Sequence, residues 1–187
     1  MHEPDAGGAT ADGDLGSLAN LSNTSLMPLP EKPCYRYELR VDIPATEAAV
    51  LIDALAGERF TIKDRLGWAT LKDQLERDHR IAIEVLSDDA WPDFERDIQT
   101  LSVYLSEAIS GREVHVTPRG DQVDLRGWII LGRRGETARI PLSLAWDEDA
   151  NRPVDKGLDR EALEPRWNEL PAWVKDALGP EIRAQRS

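Results

Sequence analysis

Three histidines, one cysteine and a surplus of carboxylates are what the chain offers for metal, nucleophilic or acid–base chemistry. His2 stands in a polar N-terminal stretch, His79 follows Asp78, and His115 alternates with Val114 and Val116. No His-x-x-x-His spacing sets two imidazoles on one helix face. A metal site would therefore need His79 and His115 to meet across a sheet, with Glu84 or Glu113 as a third ligand, and nothing in their spacing demands it. Both read as turn or surface histidines, His115 on the strand face opposite the core. Cys34 ends a proline-rich lead with no histidine beside it to take its proton, so it reads as an unreactive thiol. One cysteine allows neither an internal disulfide nor a cysteine cluster. Nucleophile elbow, phosphate loop and dinucleotide fingerprint are all missing from the sequence. No catalytic residue, metal ligand or cofactor is assigned.

Among the carboxylates, Asp88 and Asp89 read as helix-capping residues. Asp64 and Asp124 share a local context, because Asp64-Arg65-Leu66-Gly67-Trp68 and Asp124-Leu125-Arg126-Gly127-Trp128 both spell Asp-x-x-Gly-Trp. Each follows what reads as a strand, a helix and a further strand. The pattern suggests two β-α-β-β half-repeats in which Asp ties a turn, Gly lets the backbone pass and Trp fills core. Were the repeat genuine, a ligand or metal could sit between its halves.

The elements that would position these residues are read from hydrophobic period. Tyr35, Tyr37, Leu39, Val41 and Ile43 alternate with charged residues, which predicts a half-buried strand closed by Pro44. Val50, Leu51, Ala54 and Leu55 make a helical stripe up to Gly57. Phe60 and Ile62 suggest a second strand, and Leu66, Trp68 and Leu71 a third. Ile81, Ile83 and Val85 restart the alternation, and apolar residues from Trp91 to Ile109 predict a long helix ended by Gly111. Strands follow at Val114–Val116, Val123–Leu131 and Ile140–Trp146, with a hairpin tip at Gly132–Gly135 and with Pro141 marking a sheet edge. The expected fold is α+β: a mainly antiparallel sheet over residues 34–146, two helices on one face, and a C-terminal helical arm over 147–187 packed on that core. Gly179-Pro180 reads as a helix stop in that arm. Residues 1–33, rich in Gly, Ala, Asp, Ser and Pro, read as a disordered arm in which Leu15, Leu18 and Leu21 offer a short docking helix.

The net charge of -12 decides which partners are excluded. A field of that sign repels nucleic acid and anionic membrane and draws basic proteins. The chain has no run of eighteen apolar residues, and its Met1 end lacks the basic start and apolar run of a secretory signal, so a reducing cytoplasm is expected. Two features could anchor a partner: Trp167 and Trp173 in the charged C-terminal segment, and Arg133 and Arg134 at the hairpin tip. Together these features predict a non-enzymatic protein-binding domain, a bacterial immunity-type inhibitor or adaptor for a basic protein. The alternative is a small-molecule-binding or metal-dependent enzyme with its site between the half-repeats.

Overall fold

The computed structural model describes residues 29–57 and 60–184. The expected N-terminal arm falls, as far as residue 28, outside the described residues, and so does its leucine-bearing stretch. In chain order the elements are β1 (Cys34–Asp42), α1 (Ala45–Gly57), α2 (Thr61–Leu66), α3 (Trp68–Asp73) with a π-helical turn over Gln74–Asp78, β2 (Arg80–Ser87) and α4 (Phe94–Val103). Then come β3 (Ile109–Arg119), β4 (Gln122–Arg133), β5 (Glu136–Asp147), β6 (Arg152–Leu158), α5 (Arg160–Leu163), a 3-10 turn over Glu164–Glu169 and α6 (Ala172–Ala184). The six strands lie in the order β2-β1-β3-β4-β5-β6 with every neighbouring pair antiparallel. The expected α+β fold with an antiparallel sheet is therefore present.

The period-two alternation of β1 sends Tyr37, Leu39 and Val41 into a core beneath α1 to α4, while Arg36, Glu38 and Arg40 take the other face. Helix α4 crosses the sheet at a notch made by two glycines. A Cβ on Gly111 would lie 2.7 Å from Ile98 Cδ1 and 2.8 Å from Phe94 Cζ, and one on Gly132 would lie 2.7 Å from Ile98 Cγ2 and 3.1 Å from the Ile98 carbonyl oxygen. Gly111 is thus a strand residue that admits the helix, not the residue that ends it. The helix itself stops at Val103, and Ile109, expected within it, opens β3. The apolar spacing merely continues through the loop by way of Leu105.

Helices cover both faces of the sheet, where the sequence reading placed two on one. Ile130 faces the first core, whereas its neighbours Ile129 and Leu131 face a second, formed with Ile140, Leu142, Leu158, Leu163, Val174 and Leu178. The C-terminal segment contributes β6 and lays α5 and α6 on that second face, and Arg112 of β3 ties it down through ion pairs to Asp155 and, at 2.8 Å, to Glu181. Helix α6 runs through Pro180, giving up one backbone hydrogen bond where a stop was expected.

The half-repeat does not exist in three dimensions. Asp64–Trp68 spans the break between two helices, where Gly67 has φ 79°, while Asp124–Trp128 lies inside β4. The expected strands over residues 60–71 are helices, and Ile62 with Leu66 and Leu71 with Leu75 show the i,i+4 spacing that a two-residue alternation had obscured. Pro141 does not mark an outer strand either. β5 pairs with β4 up to Pro141 and with β6 from Leu142, leaving β6 as the edge.

Gly132→Ala should destabilise the protein by about 1–3 kcal/mol through forced displacement of α4. Gly57→Ala, with nothing within 4 Å of the added carbon, should leave stability unchanged or raise it. Urea denaturation of both variants, followed by tryptophan fluorescence, measures the contrast.

Candidate functional site

The sheet face beneath α1 to α4 carries a polar constellation at the mouth of the first core. Register sets it out in rows: Val85, Tyr37, Glu113, Trp128 and Pro141 lie side by side, and Ser87, Tyr35, His115 and Arg126 form the row beyond. Glu113 is only 6% exposed. Its Oε2 accepts from Arg139 Nη2 at 3.0 Å, and its Oε1 lies 2.6 Å from His115 Nε2. Arg139 also reaches Glu95 Oε2 of α4 at 3.3 Å, and Thr137 Oγ1 donates to Glu95 Oε1 at 2.9 Å. The Arg139 guanidinium lies 4.2 Å from the Trp128 ring centroid, and the His115 ring stands edge-on to Tyr35 at 4.9 Å and to Trp128 at 5.1 Å.

His115 therefore shares the face of Glu113 and the first core, and Arg112 and Val114 take the other. This is the reverse of the expected placement: Glu113, not Val114, fills the position on the first-core side, its charge met by Arg139. A paired histidine and carboxylate can hold or pass a proton, but a hydrolytic dyad also needs a nucleophile. The ring contacts of His115 are to Tyr35, Tyr37 and Trp128. Cys34, one residue before Tyr35, alternates onto the opposite face, and burial together with the Asp88 charge pushes its thiol up in pKa, away from thiolate. Arg139 already serves two carboxylates and is no open anion receptor. His79 sits in left-handed conformation with φ 47°, where its carbonyl accepts from Ile43 N at 2.8 Å, so it is a turn residue. No group of three His, Cys, Asp or Glu able to hold a metal occurs among the described residues.

A second buried carboxylate has a structural task. Asp97 of α4, 4% exposed, accepts from Thr61 N at 3.3 Å, from the Thr61 hydroxyl and from Trp91 Nε1 at 3.2 Å. It caps the first turn of α2 and binds that helix to α4. Burial pushes its pKa above the ordinary carboxylate value, partly offset by the Thr61 and Trp91 hydrogen bonds.

The four residues singled out as contacts divide into two places. Trp173 donates from Nε1 to Glu136 Oε2 at 3.0 Å, and Glu136 is the cross-strand partner of Arg133. Arg134, with Gly135, forms the tip of the same hairpin and is exposed. Trp167 is half-buried elsewhere, beside Leu158, Leu163 and Ile182, with Lys175 Nζ 5.8 Å from its ring. Trp173, Arg133 and Arg134 thus gather around the β4–β5 tip, and Trp167 does not join them.

Sequence reasoning missed a charged surface that only topology assembles. β2 and β5 end, and the β3–β4 and β5–β6 turns lie, at one end of the sheet. Asp88, Asp89, Asp121, Glu148 and Asp149 are all exposed there. The neighbouring cations Arg119 and Arg126 are directed at Asp124, at 3.4 and 3.3 Å. No signal in the linear sequence joins these acids, which are scattered over sixty positions. Among the described residues no helix is long and apolar enough to cross a membrane. Comparison of the chain with protein-family models, with curated proteins and with solved structures finds no match.

Glu113→Ala should cost about 2 kcal/mol, below the 3–5 kcal/mol of a fully buried pair because Arg139 keeps some solvent. Glu95→Ala, at a more exposed carboxylate, should cost no more than about 1 kcal/mol. Equilibrium denaturation at neutral pH checks both.

Asp97 should also leave a signature in the pH dependence of stability. The folded state holds its proton to higher pH than the unfolded chain does, so its contribution is complete below the ordinary carboxylate value and is lost as pH rises through the raised one. Asp97→Asn should flatten stability against pH in that window when unfolding free energy is measured from acid to neutral pH; an unchanged profile would show that Asp97 titrates normally.

Proposed function

We propose that the chain is a non-enzymatic protein-binding domain that engages a basic protein, acting as an immunity-type inhibitor or adaptor. The observation that carries this reading is the sheet end where Asp88, Asp89, Asp121, Glu148 and Asp149 stand exposed on a chain of net charge -12. Carboxylates held on separate turns of one rigid sheet attract a cationic partner from a distance and orient its approach. The same field disfavours nucleic acid, whose phosphates it would repel. Support also comes from the chemistry at His115 and Glu113, where among the described residues no nucleophile is bonded to the imidazole–carboxylate pair and its arginine is already occupied. The two-halves enzyme loses its premise with the half-repeat.

Affinity capture from the native cells tests the reading. A basic partner should be recovered at low salt and released as ionic strength rises, and changing the five acids to their amides should slow association by about tenfold or more in a stopped-flow or surface measurement. Recovery of no partner, or of one whose binding ignores salt, would sink the proposal.

A further inference from the structure

One stretch of β5 has an outer edge to which no strand is paired among the described residues. The β4–β5 hairpin closes through Arg134 and Gly135, both at positive φ (51° and 81°), the two-residue turn in which the flanking pair, Arg133 and Glu136, exchanges hydrogen bonds. Pairs alternate from there, so Thr137, Arg139 and Pro141 occupy positions whose backbone groups point away from β4. The Pro141 carbonyl confirms the direction, accepting from Asp159 N at 3.0 Å on the outer side. β6, however, pairs only from Leu142 onward. The outward N–H and C=O of Thr137 and Arg139 are left without a backbone partner among the described residues.

This bare edge forms one side of a groove of 630 Å³. On the second-core face the groove is walled by Ala162, Leu170 and Pro171, and on the first-core face it meets Trp128 and Arg139. Rim residues Arg166 and Glu169 offset each other in charge. Side chains of a strand added to an edge alternate between the two faces, and those opposite a given residue share its face. An added strand would therefore send one set of side chains against Ala162, Leu170 and Pro171. It would send the other set beside Thr137 and its partner Glu95, on a chain of net charge -12.

We infer that the Thr137–Ile140 edge of β5 is a strand-addition site for an extended segment of a basic protein, apolar on one face and basic on the other. The inference rests on the binding reading above and gives it a docking position. A second copy of the chain is the disfavoured occupant, since it would bring another net charge of -12 to the same edge. Strand addition draws its affinity from main-chain hydrogen bonds and its selectivity from the alternating pockets, which suits four free backbone groups beside an apolar wall.

The test uses the full chain and a library of nine-residue peptides in which Lys or Arg alternates with Val, Ile, Leu or Phe. The best binder should slow hydrogen exchange at the Thr137 and Arg139 amides by about tenfold or more, read by NMR. The same peptide N-methylated at the residues facing β5 should lose that protection, although its charge and side chains are kept. Thr137→Pro, which removes one outward donor at a position not bonded to β4, should weaken binding while a dispersed amide spectrum confirms the fold. No protection with any peptide, or equal protection by the N-methylated form, overturns the inference. Amides already protected in the free protein, together with a dimer that Thr137→Pro converts to monomer in sedimentation, overturns it in favour of a second copy. If a basic partner is captured from cells equally by wild type and Thr137→Pro, the edge is refuted and the basic-partner reading stands; if the wild type captures none, both fall.

Discussion

A proline without an N–H governs how the sheet is shared. At Pro141 the β4 ladder ends, and with no donor on the outer side only the carbonyl is available, which Asp159 takes as the chain leaves β6 for α5. Beyond this point β5 belongs to β6, with a register shift between Leu142 and Leu144, and Leu144 lies close against Gly127, where a Cβ would come within 2.8 Å of its Cδ1. One strand thus serves two partners in succession. The first half closes the core under α4, and the second carries the C-terminal segment onto the opposite face. Neither core is complete without that division.

The two buried carboxylates show how differently such a fold can carry charge. Glu113 is met by a guanidinium that also serves Glu95 and covers the Trp128 ring, so its charge is shared among β3, β5 and α4. Among the described residues Asp97 has no cation bonded to it, and it is held by an amide, a hydroxyl and an indole N–H. Its hydrogen bonds orient α2 without cancelling the cost of burial, and that is why its proton is retained to higher pH. In each case a side chain of α4 or of the strand beneath it fastens elements far apart in sequence. Polar pairing here sets which helix lies where, while apolar area supplies the drive.

What could be read from the sequence follows from how local each determinant is. β1 was legible because its alternation is complete within nine residues and its face is decided by Tyr37, Leu39 and Val41 alone. Residues 60–71 were not, since the even spacing of Phe60, Ile62, Leu66 and Trp68 fits a strand while the pair Ile62 and Leu66 also fits a helix, and the bond from Thr61 N to Asp97 that supports the helix comes from thirty-six positions away. β6, Arg-Pro-Val-Asp-Lys-Gly-Leu, has no alternation of its own and exists because β5 offers it an edge. His115 was placed on the wrong face for a related reason: the core-side position of its strand is held by a carboxylate, and only Arg139, twenty-six residues on, makes that tolerable. The acidic sheet end was invisible because adjacency there is a property of strand order.

An open edge and an acidic surface are linked by the same physics. Unpaired strand backbone is adhesive toward any extended chain, and proteins ordinarily blunt it with charge, proline or covering structure. Here Pro141 limits the bare stretch to a few residues, and the net charge makes self-pairing electrostatically unfavourable. The proline limit applies to any added strand, but the electrostatic one does not act against a cationic strand. An edge shortened by proline and guarded by like-charge repulsion is unfavourable to copies of its own chain, whereas the repulsion is absent for a strand of opposite sign, which is the physical ground of the docking proposal.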